Sequence, residues 1–223
     1  WVEVYPPILT FTACEGGATL FLLDYFKQEG YLSQSAQLYL EVMIYSLGKV
    51  FSLTPSFRAE KSRTRRHLAE FWHFEAEAAL YGFEDILRVE EESLVYAIRK
   101  MLEDDRFYEW IKEFRGDMDV LEGLKTPFPR ITYTEAIETL QSKGIDIEWG
   151  DDLGADEEKI LSEEFDTPFF VTLYPTKIKA FYVKSHENNE ELCYSADLMA
   201  PEGYGEITTG GQREERIDVL MDL

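Results

Sequence analysis

Five basic residues lie close together in one short stretch of the chain: Arg58, Lys61, Arg63, Arg65 and Arg66. The whole chain has 22 Lys and Arg against 44 Asp and Glu, so this run is a cationic cluster on a protein of net charge -22. Two interpretations are open. The cluster is either a solvated loop between strands or a site for a polyphosphate, whose oxygens suit fixed arginine donors. Because Arg58 lies inside a predicted strand, the sequence favours the polyphosphate site.

Two carboxylates near the end of the chain are candidate metal ligands. Asp197 and Glu206 lie on successive predicted strands. Carboxylates on neighbouring strands suit Mg²⁺, which takes one or two of them and completes its shell with phosphate and water. Because the chain has 44 acidic side chains, a solvated strand surface is the competing interpretation. The three histidines and two cysteines have no spacing typical of a metal site, and no Gly-rich phosphate loop is present.

The composition narrows the class of protein. With 45% apolar residues among 223, the chain can bury a sizeable core. No stretch approaches the roughly 18 uncharged apolar residues of a membrane span. A membrane protein and a disordered acidic tail are therefore excluded. The net charge of -22 repels nucleic acid as a whole, so any polyanion must meet the local basic cluster. Two distant cysteines, Cys14 and Cys193, predict no disulfide and favour the cytoplasm.

The elements around the cationic cluster are a helix and two strands. Residues 50–60 and 68–79 alternate in character and are rich in aromatic side chains, which predicts two antiparallel strands joined by the basic loop. Residues 35–47 have apolar side chains at helical spacing. Ser35 is the predicted N-cap of this helix, and Gly48 is its predicted end.

The rest of the chain has a block of helices followed by a block of strands. Helical spacing predicts a long helix over 83–121, broken near Asp105, and a shorter one over 134–144 that opens at Thr134. Further helices are predicted over 156–165 and 212–223. After Pro168 the predicted elements are strands, over 169–174, 180–184, 193–199 and 203–209. This order predicts an α+β fold with a mostly antiparallel sheet.

Four segments resemble a known family. Phe57-Arg58-Ala59-Glu60 and, after the basic loop, His67-Leu68-Ala69-Glu70-Phe71 resemble motif 2 of the class II aminoacyl-tRNA synthetases. Residues 14–21, 34–41 and 205–213 resemble the aspartyl and asparaginyl subgroup, and most nearly its archaeal-type asparaginyl members. The resemblance implies a class II synthetase-like sheet flanked by helices. Residues 1–223 would be one partial catalytic core, incomplete at both ends, without motif 3 and the anticodon-binding domain.

The resemblance also implies a role for individual residues. Arg58 would be catalytic and would bind the α-phosphate of ATP. The other implied ATP contacts are Glu60, Arg66, His67, Phe71 and Glu206. Asp197 and Glu206 would hold Mg²⁺. The implied contacts of the amino-acid substrate are Glu15, Ser35, Gln37, Glu41 and Arg213.

The activity that the resemblance implies is the ATP-dependent activation of asparagine and its transfer to the acceptor end of tRNA(Asn). The protein would be cytoplasmic, homodimeric at full length and without a membrane partner. Aspartyl members have a lysine at the position of Leu40, and Glu41 would repel a second carboxylate, so asparagine is favoured. A solvated helix residue is the competing interpretation of Glu41, and Thr208-Thr209 is more typical of aspartyl members. The alternatives are an aspartate-activating paralogue, either an aspartyl-tRNA ligase or a synthetase-like asparagine synthetase, and an inactive synthetase-like module.

Overall fold

The computed structural model describes residues 1–12, 20–59 and 67–222. The chain divides into two compact units, Trp1–Leu80 and Tyr81–Leu223. Both units combine α-helical structure with strands that are mostly antiparallel, which confirms the predicted α+β fold. Within the described ranges, no helix has the length and apolar character needed to cross a membrane.

The described part of the first unit contains one helix and two three-stranded sheets. Its elements are β1 (Val2–Glu3), β2 (Leu9–Thr10), β3 (Leu22–Tyr25), β4 (Gln28–Leu32), α1 (Gln37–Leu47), β5 (Lys49–Phe57) and β6 (Glu70–Ala78). One sheet has the strand order β1-β5-β6, with β1 parallel to β5, and the other has the order β2-β4-β3.

Strands β5 and β6 form the antiparallel hairpin that the alternating sequence predicts. Ser52 lies opposite Glu75, and Ser56 lies opposite Phe71. Since side chains alternate between the two faces of a strand, these four residues share one face. Both strands stop short of the predicted bounds at the loop end, so that Arg58 lies just beyond β5.

Helix α1 begins two residues later than predicted, and the prediction of Ser35 as its N-cap is wrong. The N-cap is Ala36, which has no side chain that could accept a hydrogen bond. The Ser35 hydroxyl does accept a bond from the Gln37 N–H at 3.1 Å, but it also donates to a carboxylate of β6. The helix ends at Gly48 as predicted, with φ of 78°, a backbone conformation that favours glycine.

The second unit is built on a four-stranded sheet of order β12-β11-β8-β7, in which only β7 and β8 pair in parallel. Strands β9 and β10 form a separate pair. The elements are α2 (Phe83–Leu102), α3 (Asp105–Arg115), α4 (Asp119–Glu122), β7 (Arg130–Thr132), α5 (Tyr133–Ser142), α6 (Ala155–Ser162), β8 (Phe169–Thr172), a 3-10 turn (Thr176–Ile178), β9 (Ser185–His186), β10 (Asn189–Cys193), β11 (Ser195–Ala200), β12 (Gly205–Gly211) and α7 (Ile217–Asp222).

The helices of this unit lie where they were predicted, but their ends differ: α6 ends at Ser162 rather than at 165, and α7 begins at Ile217 rather than at 212. The long helix is broken where expected, because Asp104 accepts the first free N–H groups of α3. The cap of α5 is Thr132 rather than Thr134, since Thr132 and Glu135 form a capping box. The prediction of a strand over 180–184 is wrong, because this segment makes only an isolated bridge.

Core side chains cover both faces of the four-stranded sheet. Phe169 belongs to a buried cluster that includes Tyr133 of α5 and Leu161 of α6. Its neighbour Phe170 belongs to a second cluster that includes Leu87 of α2. Consecutive residues of β8 therefore pack into different hydrophobic clusters, one on each face of the sheet. Strand β8 is thus buried on both faces.

Candidate active site

The loop end of the β5–β6 hairpin brings Arg58 and Phe71 together. The backbone N–H of Arg58 donates to the backbone carbonyl of Ala69 at 3.0 Å, so the backbone of Arg58 is held beside the start of β6. The Arg58 guanidinium carbon lies 5.5 Å from the centroid of the Phe71 ring, and both residues are half-buried. A guanidinium held in this way can bind phosphate oxygens, and an aromatic ring at the same place can stack on a planar base.

Part of the predicted site lies outside the described residues. This is true of Glu15, Glu60 and Arg66, and also of the remaining members of the cationic cluster, Lys61, Arg63 and Arg65. His67 is described and is exposed at the point where the chain leads into β6. The predicted contacts made by the loop itself therefore remain predictions.

Glu75 of β6 binds the segment that leads into α1. The Ser35 hydroxyl donates to Oε1 of Glu75, and the Ala36 N–H donates to Oε2 at 2.8 Å. His73 Nδ1 lies 3.4 Å from the same Oε2 and 3.1 Å from the Ser56 hydroxyl. Ser35, a predicted amino-acid contact, is thereby attached to the strand that carries Phe71.

Glu75 was not among the predicted site residues, although the sequence contains a signal for it. Glu75 follows Phe71 by four residues on one strand, and the two-residue period of a strand places both side chains on the same face. The rings of Phe71 and His73 lie 5.3 Å apart between centroids, in agreement with that period. The face that carries the predicted nucleotide contact thus also carries a carboxylate.

Gln37 and Glu41, both predicted contacts of the amino acid, lie on successive turns of α1. Gln37 Nε2 donates to Glu41 Oε1 at 2.9 Å. Gln37 is buried and Glu41 is half-buried, so neither is a fully solvated surface residue. Leu40 lies between them and is completely buried against Ala36 and Val50. The position at which aspartyl members have a lysine is therefore part of an apolar core.

Asp197 and Glu206 lie on the neighbouring strands β11 and β12. Asp197 is buried, and its two carboxylate oxygens lie 3.0 and 2.9 Å from Nζ of Lys179. The Thr209 hydroxyl donates to Oδ1 at 2.5 Å. Glu206 is exposed, and its backbone N–H donates to the buried carboxylate of Glu158 at 3.0 Å. Lys179, which the sequence analysis did not consider, is thus the cationic partner of Asp197.

The fit of this pair to Mg²⁺ differs between its two members. Carboxylate oxygens are suitable ligands, and Glu206 is open to solvent. Asp197 does not fit as a ligand in this structure, because a lysine ammonium lies against both of its oxygens. No group of three or more His, Cys, Asp or Glu side chains within residues 1–12, 20–59 and 67–222 could hold a metal ion.

A second acidic group lies beside this strand pair. Glu90 of α2 packs against Gly210 of β12, where any larger side chain would collide with the Glu90 carboxyl group. Burial, together with the negative charge of Asp197, raises the pKa of Glu90 to about 8. Glu90 is therefore mostly protonated at neutral pH and adds little charge next to Asp197.

Arg213, the last predicted contact of the amino acid, follows β12. Its guanidinium carbon lies 4.6 Å from the centroid of the Tyr182 ring. Backbone contacts connect the same two segments. Val183 and Arg213 form an isolated β-bridge, and the Glu214 N–H donates to the Tyr182 carbonyl at 2.8 Å. Tyr182 is a further residue that the sequence analysis missed.

Comparison of the sequence with known proteins identifies relatives over the whole chain. A family profile described as tRNA synthetases class II (D, K and N) matches residues 1–223. The chain is 59% identical over 222 residues to the asparagine–tRNA ligase of Pyrococcus horikoshii, covering 100% of this chain and 51% of the relative. It is 50% identical over 214 residues to the enzyme of the same name from Pelotomaculum thermopropionicum, covering 96% and 49%. The chain thus spans about half the length of the curated relatives it matches.

Solved structures have the same fold. The crystal structure of asparaginyl-tRNA synthetase from Pyrococcus horikoshii complexed with asparaginyl-adenylate matches with a TM-score of 0.96 at 58% identity, covering 100% of this chain and 51% of that one. The Entamoeba histolytica asparaginyl-tRNA synthetase in complex with asparaginyl-adenylate matches with a TM-score of 0.89 at 37% identity, covering 100% and 49%. These matches confirm the predicted class II synthetase fold. The chain belongs to the class II tRNA synthetases of the D, K and N family.

Proposed function

We propose that this chain carries the adenylate-forming core of an asparagine–tRNA ligase, which activates asparagine with ATP and transfers it to the acceptor end of tRNA(Asn). The observation that carries the proposal is the placement of Arg58 over Phe71 at the end of the hairpin. The 58% identity to a synthetase that was crystallised with asparaginyl-adenylate supports the choice of amino acid. Residues 1–223 belong to one partial catalytic core in this proposal, because the family profile matches that range.

Arg58 is the proposed catalytic residue. In adenylate formation, a carboxylate oxygen of asparagine attacks the α-phosphorus of ATP, and pyrophosphate leaves with the electrons of the broken P–O bond. Negative charge develops on the α-phosphate oxygens, where the fixed guanidinium of Arg58 stabilises it. Phe71 stacks on adenine in this proposal. The remaining proposed ATP contacts are Glu60, Arg66, His67 and Glu206.

The proposed contacts of asparagine are polar groups that are already held in place. On α1, Gln37 binds Glu41 at 2.9 Å, so that the Glu41 carboxylate is oriented by a buried side chain. Glu41 accepts from the side-chain amide N–H of asparagine in this proposal, and it would repel the carboxylate of aspartate. Ser35, Glu15 and Arg213 are the other proposed contacts, with Arg213 donating to the amide oxygen.

The proposed cation is Mg²⁺, which neutralises the phosphate charge of ATP when bound. Glu206 is its proposed ligand, and Asp197 can join only after Lys179 has left the carboxylate. The family resemblance supports a homodimeric full-length protein in the cytoplasm, which we include in the proposal.

Exchange of labelled pyrophosphate into ATP tests the proposal directly, with asparagine and aspartate in parallel. We expect exchange with asparagine, and a loss of kcat/KM by a factor of about 100 or more in Arg58→Ala, as is typical when a transition-state donor is removed. Arg88→Ala is the matched control, because this exposed arginine of α2 binds only a neighbouring carboxylate in the described contacts.

Two other outcomes would contradict the proposal. Exchange with aspartate alone would favour the aspartate-activating paralogue. Silence with both amino acids, in a chain shown to be folded by circular dichroism, would favour an inactive synthetase-like module.

A further inference from the structure

The buried carboxylate of Asp197 binds one cation, the ammonium group of Lys179. Nζ of Lys179 lies 3.0 and 2.9 Å from its two oxygens, and the exposed fractions of the two side chains are 18% for Lys179 and 6% for Asp197. The same Nζ lies 3.8 Å from the centroid of the Tyr174 ring, whose face attracts a cation. The Thr209 hydroxyl occupies a further position on Oδ1.

Of the two partners, only the lysine can move without disturbing the sheet. Asp197 lies inside β11 and is paired with Val171 of β8 on one side and with Thr209 of β12 on the other. Lys179 follows the 3-10 turn and lies outside the strands. Its four-carbon stem is flexible and partly exposed, so the ammonium group has a route to solvent.

Among the described residues, several acidic groups lie near this carboxylate. Glu90 has its pKa raised by burial and by Asp197. Burial, followed by the charge of Asp197, raises the pKa of the buried Tyr174 hydroxyl, and Glu206 and Glu158 act on it in the same direction. Without the lysine, Asp197 would lose its ion-pair partner at a buried position, and the binding of another cation would neutralise its charge again.

We propose that Lys179 and a divalent cation are competing partners of Asp197, so that Lys179 determines whether strands β11 and β12 bind Mg²⁺. A divalent cation that approaches these oxygens is repelled by the ammonium group, which lies about 3 Å from both of them. The lysine thus neutralises the carboxylate when no divalent ion is bound, and it has to leave before one can bind. This inference deepens the proposed function, since it rests on the proposed use of Mg²⁺ with ATP.

Binding of Mn²⁺ to the 223-residue chain, measured by electron paramagnetic resonance of the free ion, tests the competition without any reaction. Mn²⁺ is a suitable probe because it prefers the same oxygen ligands as Mg²⁺. Lys179→Met keeps most of the stem and removes the charge. We expect Mn²⁺ to bind this variant tighter than the wild type by on the order of tenfold or more. Lys177→Met removes the same charge from the exposed 3-10 turn and should leave the affinity unchanged.

The double variant Lys179→Met/Asp197→Asn localises the effect. We expect it to lose the gain in Mn²⁺ affinity. Wild-type affinity in Lys179→Met, or a gain that persists in the double variant, would overturn the inference. Lys179→Arg provides an independent check, because arginine keeps the charge and can bind both oxygens. Tighter Mn²⁺ binding by that variant would also overturn the inference.

The competition can still be tested if the Lys179→Met variant does not fold without metal. If Lys179→Met is unfolded without metal, its circular dichroism is followed as Mn²⁺ is added. Recovery of the folded signal supports the competition, and no recovery overturns it. The measurements of Mn²⁺ affinity and circular dichroism do not depend on pyrophosphate exchange. A chain that fails to exchange while Lys179→Met binds Mn²⁺ more tightly would refute the proposed function and leave the competition standing.

Discussion

The guanidinium of Arg213 lies over the ring of Tyr182, with 4.6 Å between its central carbon and the ring centroid. Tyr182 belongs to the segment 180–184, which was predicted to be a strand. The segment is irregular instead, and the bridge between Val183 and Arg213 attaches it to the end of β12. We therefore expect Tyr182 to position Arg213, a proposed contact of the amino acid.

Replacing Tyr182 should affect asparagine more than ATP. We expect Tyr182→Leu to raise the KM for asparagine about fivefold, because a cation–π contact of this kind contributes about 1 kcal/mol. Tyr182→Phe keeps the ring and should retain nearly the wild-type value. Steady-state pyrophosphate exchange at varied asparagine and varied ATP separates the two constants. Equal increases in both KM values would show a general structural role instead.

Introducing a lysine at position 40 should destabilise the protein rather than change its substrate. Leu40 is 0% exposed and packs against Ala36 and Val50. We expect Leu40→Lys to lower the free energy of unfolding in urea by about 3 kcal/mol, since a buried charge is among the most destabilising changes. Leu38→Lys, on the exposed side of the same helix, should change it by less than about 0.5 kcal/mol. A stable Leu40→Lys protein that activates aspartate would contradict this expectation.

Glu214 should make the stability depend on pH in the acid range. Hydrogen bonds from the Arg216 side chain, at 3.0 and 2.9 Å, are the main reason why the pKa of Glu214 is lowered from 4.5 to about 2. A carboxylate with a lower pKa in the folded state than in the unfolded state stabilises the fold above its unfolded pKa. That contribution is lost as the pH falls towards the folded pKa of about 2.

The measurement is urea unfolding of Glu214→Gln and of the wild type over a series of pH values. We expect the variant to be less stable at pH values above 4.5 and the difference to shrink as the pH falls towards about 2. Glu187→Gln, at an exposed position, is the control and should follow the wild type throughout. A difference that stays constant over this range would assign the effect of Glu214 to packing rather than charge.

The elements that could be predicted from the sequence are those with local signals. The β5–β6 hairpin has a two-residue alternation that continues through both strands, and the break between α2 and α3 has a capping residue, Asp104. The β3–β4 hairpin was missed because its turn lacks the usual residues. Phe26 and Lys27 have φ of 50° and 69°, where turns of this kind normally have Asn or Gly.

The parts of the site that could not be predicted depend on contacts between distant segments. Ser35 and Glu75 are 40 positions apart, and Lys179 is 18 positions from Asp197. In each pair the two residues belong to different segments of the chain, so the period of a single helix or strand does not relate them. Arg58 and Phe71 were found because family motifs mark both. Glu75 had only the two-residue period of its strand to indicate a role, and Lys179 and Tyr182 had only their residue types.

The pairing order of the first unit has a consequence for how the chain folds. Strands β5 and β6 are neighbours in sequence, whereas β1 pairs with β5 across β2, β3, β4 and α1. Closing the shorter loop costs less chain entropy, so the hairpin with Arg58 and Phe71 at its loop end can form early in folding. The parallel pairing of β1 is a contact of high sequence separation, and we expect it to form later. This order of loop closure predicts that local folding brings together the two side chains proposed to hold the nucleotide before the sheet that supports them is complete.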